Sequence, residues 1–279
     1  MHSLKQIWCI CKVNFYLSIT SFRFHFALLV VGILLIQIIK PIRDFSEVVQ
    51  IPITPYLFPF LIQNRFLQTI IAIGLVFILS DVPVINDSTI YFVVRSSRRN
   101  WIKGQMLYIV LESFVFLICI VVLTIIILFP HLAFSTEWGK GISTLAQTNA
   151  AEQFGGNALD YHMMTAFSPL EAMFFSILVS WTMGIFIGLL IMAFNCLVSS
   201  ITIGPLMGGL ITLLPQLAVN FSDLHLIYFL APPTWMDITL FRLSYESRLP
   251  TLPYVICFFL IMYFLLLEFI MHKVKRIDL

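Results

Sequence analysis

Long apolar runs separated by short polar segments dominate the pattern of this chain. A helix needs roughly 20 predominantly apolar residues to cross a bilayer. The segment 49–64 is also apolar, but Pro52, Pro55 and Pro59 interrupt it, and proline breaks a helix, so it is not counted as a crossing. The sequence therefore predicts an all-α membrane protein with six transmembrane helices, at about 24–39, 66–80, 105–129, 172–197, 203–221 and 254–271.

The fourth and fifth predicted crossings share one uncharged interval. No Asp, Glu, Lys or Arg occurs between Glu171 and Asp223. That interval is too long for one crossing, so the pattern divides it near the polar cluster at 195–202. Two further segments, 131–168 and 222–253, are then loops on the outer side.

The N-terminal segment 3–22 has the pattern of an amphipathic helix. Its apolar residues recur mostly at steps of three, four or seven: Leu4, Ile7, Trp8, Cys11, Phe15 and Phe22. Lys5 and Lys12 lie at the edge of this stripe, where they can reach lipid headgroups. We interpret 3–22 as an interfacial helix; the alternatives are a soluble helix and an early start of the first crossing.

Composition supports a membrane location for the whole chain. Hydrophobic residues make up 60% and charged residues only 11%, against about 25% charged in a soluble domain. We therefore expect one membrane domain over 1–279. The net charge of +2 is too small to indicate nucleic acid as a partner.

The dense Lys and Arg clusters give the orientation. They lie at 95–103 and 273–276 and, more sparsely, before the first crossing. Cations favour the cytoplasmic side, so we expect a multi-pass plasma-membrane protein with both termini in the cytoplasm.

No catalytic motif is evident in the sequence. The chain has no zinc-protease helix, no serine nucleophile elbow and no P-loop, and its six histidines are scattered. We expect no catalytic residues, no bound metal and no enzymatic activity in this chain.

Glu112 is the one acid well inside a predicted crossing. An ionisable residue within a membrane is a functional candidate by default, so we consider Glu112 a candidate for the translocation path or for coupling. The alternative is a packing contact to Ser, Trp or Tyr on a neighbouring helix. Gln216 and Asn220, in the least regular crossing, are further candidates for the path.

Two glycine pairs occur at helical spacing. Gly184 and Gly188 form one pair, and Gly204 and Gly208 form the other. Small residues four apart let helix backbones approach closely. They indicate either ordinary packing within the chain or an interface between subunits.

The segment 86–103 is the most informative polar segment. A short apolar stretch that begins at Ile90 is followed by Arg95, Arg98, Arg99 and Lys103. One interpretation is a positively charged anchor at the membrane surface. The other is a short cytoplasmic helix that docks on a soluble partner.

The motif in this segment resembles a known family. Ser80-Asp81-Val82-Pro83 followed by 89–105 has the form SDxP…(S/T)xYFxxRSxRRxWxxGQ. Together with the amphipathic N-terminal helix and six crossings, it resembles the membrane subunit of an ABC-2-type, or type V, ABC transporter of the Gram-positive bacterial sort. The apolar segment 224–243 is similar to the partly re-entrant outer helices of that family.

The resemblance implies a permease subunit of an ATP-driven exporter. Segment 3–22 would be its elbow helix and 86–103 its coupling helix, with Ser88, Tyr91, Arg95, Arg98 and Arg99 in contact with the ATPase subunit. Two copies of a separate ATP-binding subunit would use ATP and Mg, and a second permease subunit would complete a homodimer or heterodimer. The few polar groups on the crossings favour an amphipathic or lipid-like substrate such as a peptide, an antibiotic or a lipid.

Two other functions fit the composition. One is a secondary ion-coupled carrier, which the scarcity of buried charges and the lack of an internal repeat disfavour. The other is a non-catalytic membrane scaffold subunit.

Overall fold

The fold is helical throughout the part of the chain that the structure describes. A computed structural model describes residues 2–85, 89–198, 200–220, 226–243 and 249–273. Within these ranges the backbone forms fifteen α-helices and one 3-10 helix, and the only strand-like pairing is an isolated bridge between Ile53 and Leu132. The prediction of an all-α protein is confirmed.

The first half of the chain forms six helices. They are α1 (His2–Ile19), α2 (Phe22–Val49), α3 (Phe58–Leu61), α4 (Arg65–Ile78), α5 (Thr89–Ser96) and α6 (Arg98–Leu128). Ser21 caps α2 by accepting a hydrogen bond from the Phe24 backbone N–H, and Asn64 caps α4 in the same way through Phe66 and Leu67. These caps separate α2 from α1, and α4 from the proline-rich segment before it.

The second half contains the remaining helices. They are α7 (Gly139–Gln147), α8 (Ala150–Gln153), α9 (Tyr161–Ala166), α10 (Pro169–Val198), α11 (Ile203–Thr212), α12 (Leu214–Asn220), α13 (Leu226–Leu230), the 3-10 helix Pro232–Met236, α14 (Thr239–Leu243) and α15 (Leu252–Lys273). The break between α10 and α11 falls inside the polar cluster 195–202, as predicted.

Five segments are long and apolar enough to cross a membrane. They are α2, α6, α10, α11 with α12, and α15. Five of the six predicted crossings therefore have helices of sufficient length. The sixth, predicted at 66–80, corresponds to α4, which has only 14 residues and spans about 21 Å at 1.5 Å per residue.

The polar segments are more ordered than the sequence pattern predicted. Helix α6 begins at Arg98 and has 31 residues, seven residues before the predicted start of that crossing. The predicted loop 131–168 contains α7, α8 and α9, whose apolar sides are buried at Ile142, Ala151 and Met163. Hydropathy missed these helices because each is short and buries only one face.

Two ion pairs mark the opposite ends of α4. Arg23 pairs with Asp81 just beyond the C-terminal end of the helix, and Arg65 at its first residue pairs with Asp237. We call these the Asp81 end and the Asp237 end of the bundle. The Arg65 guanidinium also donates to the carbonyl of Thr234, at 3.0 Å. This fixes the 3-10 helix, whose five residues are all buried, onto α4.

Asn195 joins three segments at the Asp81 end. Its Nδ2 donates to the carbonyls of Ser80 and Val82, at 3.2 and 2.8 Å, and its Oδ1 accepts from the backbone N–H of Gly204 at 2.9 Å. One amide therefore connects α10 to the segment after α4 and to the start of α11.

The two ion pairs predict different losses of stability. The Arg65 and Asp237 side chains are 18% and 7% exposed, whereas those of Arg23 and Asp81 are 42% and 46% exposed. Removing one partner of a buried pair costs about 3–5 kcal/mol, whereas an exposed pair contributes about 0–1 kcal/mol. We therefore expect Asp237→Asn to lower the thermal unfolding temperature in detergent far more than Asp81→Asn. Equal shifts in the two variants would contradict this assignment.

Candidate functional site

Helix α1 lies lengthwise along the first half of α6. Ile10 packs over Gly104, where an added Cβ would lie 2.7 Å from Ile10 Cγ2 and 3.1 Å from the Ile7 carbonyl oxygen. Further along, Ser18 Oγ donates to Glu112 Oε1 at 2.7 Å. We call this contact the elbow seam. Its close approach depends on the missing side chain at Gly104.

Polar contacts extend the elbow seam to α5. Gln6 Nε2 donates to the carbonyl oxygen of Arg95 at 3.0 Å, and Asn100 Nδ2 donates to Gln6 Oε1 at 3.0 Å. Ser3 Oγ donates to Asn100 Oδ1 at 3.0 Å. Helix α1 therefore contacts the C-terminal end of α5 and the N-terminal end of α6 at once.

Three arginines are exposed where α5 meets α6. Arg95 is in the last turn of α5, and Arg98 and Arg99 open α6. Between the helices, Ser97 has a φ of 76°, in a region that non-glycine residues rarely occupy. Ser97 is the single residue between the two helices, so the three arginines lie within five residues of the chain. We call Arg95, Arg98 and Arg99 the cationic ledge.

For Tyr91 and Ser88, the other two residues predicted to contact the ATPase subunit, the structure gives no side-chain contact. Tyr91 lies within α5, and its side chain is outside the described part of the structure, whereas Ser88 falls wholly outside the described residues. The predicted segment 86–103 is therefore divided: residues 89–96 form α5, and residues 98–103 belong to the start of α6.

Glu112 lies in the elbow seam and is fully buried. Its Oε1 accepts from Ser18, and its Oε2 has no hydrogen-bond partner in the described chain. Burial and the nearby Glu112 carboxyl raise the pKa of the Cys11 thiol in α1 to about 11. Glu112 thus contacts a serine on a neighbouring helix, which is the alternative that the sequence analysis gave; the sequence pattern did not indicate that this helix is α1.

Gln216 and Asn220 lie on α12, near the Asp237 end. Gln216 Nε2 donates to Thr69 Oγ1 on α4 at 3.3 Å. Asn220 is exposed and donates to the carbonyl of Gln216 at 3.0 Å. The structure does not bring either residue together with Glu112, since α12 packs on α4 and Glu112 faces α1.

All four glycines of the two predicted pairs meet other helices or segments of this chain. A Cβ at Gly184 would lie 2.9 Å from Ser113 Cβ, and one at Gly188 would lie 2.4 Å from Ile109 Cγ2, both on α6. Gly204 and Gly208 contact α10, with the Ile191 carbonyl oxygen 2.4 Å from a Cβ at Gly204. These glycines sit at contacts within the chain.

Sequence reasoning missed the polar residues that fix the helix ends. Asn195 was visible only as one member of a polar cluster, and the Arg65–Asp237 pair joins distant segments. Burial raises the pKa of the Asp237 carboxyl, and the Arg65 guanidinium opposes that rise. The sequence offers one indication of this pair, an acid, Asp237, within the largely apolar segment 224–243.

The fold defines a multi-pass helical membrane protein, by the length and hydropathy of its helices. Across the described ranges, no group of three or more His, Cys, Asp or Glu side chains could hold a metal ion. Comparisons of the chain with protein-family models, curated proteins and solved structures found no match.

The elbow seam predicts a strong effect of a side chain at Gly104. We expect Gly104→Leu to push α1 away from α6, because overpacking costs about 1–3 kcal/mol. If the contact between α1 and α6 loses about 1–2 kcal/mol of stability, the fraction of molecules in which α1 has separated from α6 rises roughly 5- to 30-fold. Cys11 is buried and its thiol has a raised pKa, so opening should speed its reaction with a maleimide by that factor.

The measurement uses a variant in which the other four cysteines are replaced by alanine. Gly209→Leu is the matched control, because a Cβ at Gly209 would meet no heavy atom within 4 Å. Unchanged labelling of Cys11 in Gly104→Leu would show that α1 does not depend on this contact.

Proposed function

We propose that this chain is the transmembrane permease subunit of an ATP-driven ABC exporter. Its cargo would be an amphipathic or lipid-like molecule, such as a peptide, an antibiotic or a lipid. The observation that carries the proposal is the cationic ledge: three exposed arginines at the joint between a short helix and a 31-residue helix, braced by α1.

The ledge has the form expected of a docking surface for a soluble partner. Arg95, Arg98 and Arg99 have no ion pair with any acid in the described ranges, so their charges are available to another protein. Arginine is suited to such contacts because its planar guanidinium binds carboxylates in a bidentate manner. The partner would be an ABC ATP-binding subunit, in two copies, and ATP and Mg would bind there.

The connection from the ledge into the bundle supports a coupling role. Ser97 joins α5 directly to α6, and Gln6 binds the carbonyl of Arg95. A displacement of α5 would therefore move α6 and α1 together, and α1 leads into α2. In this proposal α1 is the elbow helix and α5 is the coupling helix.

The proposed topology has six crossings with both termini in the cytoplasm of a bacterial plasma membrane. Helix α4 is the second crossing, and its short length is made up at the Asp237 end by the buried 3-10 helix, which belongs to the partly re-entrant outer segment. Of the described cations, those at 95–103 and Lys273 lie at the Asp81 end, which favours a cytoplasmic location for that end. A second permease subunit, identical or not, would complete the pore.

A secondary ion-coupled carrier is the second candidate, and one observation favours it. Glu112 is buried and its Oε2 lacks a partner in the described chain, as in a proton-binding site. Such a carrier would support gradient-driven flux by the purified chain alone, and Glu112→Gln would abolish that flux.

The cationic ledge predicts which variant loses the ATPase subunit. We expect the triple variant Arg95→Gln, Arg98→Gln, Arg99→Gln to insert normally but to lose most of a co-purifying P-loop protein. The matched control neutralises three other cations at the same end of the bundle: Lys5→Gln, Lys12→Gln, Lys273→Gln. Pull-down of the tagged chain from its native membrane in a gentle detergent, with mass spectrometry of the partners, gives the result.

The outcomes separate the parts of the proposal. A wild-type chain that brings down no P-loop subunit would overturn the ABC function. A P-loop subunit retained equally by both triple variants would leave the function standing and overturn the role of the ledge.

A further inference from the structure

A cavity of about 380 Å³ opens where α1 turns into α2 and meets the Asp81 end of α4 and α6. Its volume lies within the range of small-ligand sites, roughly 300–1,000 Å³. The cavity, which we call the elbow pocket, has a polar side and an apolar side. Asn14, Arg23 and Asp81 contribute polar groups to its lining, and Leu17, Phe22 and Ile78 contribute apolar side chains.

Asn14 presents a buried donor without an acceptor. The residue is only 5% exposed, and its Nδ2 has no hydrogen-bond partner in the described chain. Leaving a buried polar group unpaired is costly, so such groups usually have a partner. Because Asn14 lines the elbow pocket, a ligand there would supply the missing acceptor.

Arg23 and Asp81 place one charge of each sign in the same pocket. The hydrogen bonds of Arg23 in the described chain, to Asp81 and Ser80, use Nη1 alone. The Nε and Nη2 groups remain available for an anion. The side chains of both residues are nearly half exposed, so a ligand can reach each of them.

An exposed aromatic patch lies next to the pocket. Phe22, which lines the pocket, stacks on Phe26 at 5.5 Å between ring centroids, and Phe26 contacts the ring of Phe77 at 5.9 Å. All three side chains are exposed. Phe22 and Phe26 belong to α2, a candidate membrane span, so the patch continues from the pocket along a surface suited to acyl chains.

We propose that the elbow pocket binds a phospholipid whose headgroup carries both a phosphate and a primary ammonium, as in phosphatidylethanolamine. The phosphate accepts from the Asn14 amide and the free N–H groups of Arg23. The ammonium donates to Asp81. A lipid with phosphate alone would leave Asp81 facing a second negative charge, and a choline group has no N–H to donate. This site is independent of the proposed transport function.

The test measures lipid binding to the delipidated, detergent-purified full chain. Phosphatidylethanolamine, phosphatidylcholine and phosphatidylglycerol are titrated separately and followed by native mass spectrometry and by thermal unfolding. We expect one tightly held phosphatidylethanolamine per chain and binding at least about fivefold weaker for the other two. Equal binding of all three lipids would overturn the headgroup assignment.

Asn14→Leu is the main variant. Loss of one hydrogen bond to a charged group is worth about 1.5–3 kcal/mol, so we expect phosphatidylethanolamine to bind about tenfold or more weakly. The matched control is Gln63→Leu, because Gln63 Nε2 is also buried without a partner in the described chain but lines a different cavity, of about 180 Å³. Equal loss in both variants, or no loss in Asn14→Leu, would overturn the proposal.

Asp81→Asn gives a second test that does not depend on the folding of the Asn14 variant. Removing the carboxylate should weaken phosphatidylethanolamine and strengthen phosphatidylglycerol, which inverts the preference of the wild type. An unchanged preference would contradict the role of Asp81.

Glycerophosphoethanolamine, the same headgroup without acyl chains, distinguishes a lipid from a soluble phosphate ester. We expect it to bind far more weakly than the intact lipid, because the aromatic patch then has no acyl chain to contact. Equal affinity would overturn the lipid as the ligand.

Discussion

The contact of α1 with α6 is the constraint on which the cationic ledge and the elbow pocket both depend. It requires Gly104, because a side chain there would collide with Ile10 and with the backbone at Ile7. The same contact brings Gln6 to the end of α5 and Asn14 to the wall of the elbow pocket. If α1 lay elsewhere, the cationic ledge would lose its support and the pocket would lose one side.

The rest of the bundle follows the physics of packing in a bilayer. Lipid chains are as apolar as the helix surfaces, so helices associate through close van der Waals contact and a few polar bonds. The four glycines of α10 and α11 supply close approaches along the helices. Asn195 and the two ion pairs supply polar contacts at the ends. The interior of the bundle is accordingly fixed by small residues and its ends by polar ones.

Hydropathy predicted the long helices well, since a bilayer imposes their length. Five crossings follow from the apolar runs, and the break before Ile203 follows from the polar cluster at 195–202. The same reasoning could not give the short length of α4, which is limited by capping at Asn64 and by the ion pairs at its ends. It also missed α7 to α9, which are short and one-sided.

The sequence could not predict the partners of polar residues, because a pattern identifies an unusual residue but not the residue that it contacts. Glu112 was identified as an unusual acid, but nothing in the pattern indicated Ser18 as its contact. The apolar stripe of α1 was predicted to face lipid, but its residues lie on different sides of the helix: Cys11 is buried and Trp8 is exposed. The face of α1 that is buried against α6 includes the polar residue Asn14, so a search for apolar residues at helical spacing does not identify it. The family resemblance, the ATPase partner and the cargo stay predictions.

The Arg65–Asp237 pair has a consequence for how the protein is made. Its two members are 172 residues apart, so a ribosome finishes Asp237 on the order of ten seconds after Arg65. During that interval the guanidinium of Arg65, the first residue of the 14-residue helix α4, lacks the Asp237 carboxylate with which it pairs in the folded chain. The ion pair at the first residue of α4 can therefore form only after Asp237 has been synthesised. A chain truncated before Asp237 would leave Arg65 without its carboxylate partner, a difference by which quality-control proteases could distinguish it from the finished protein.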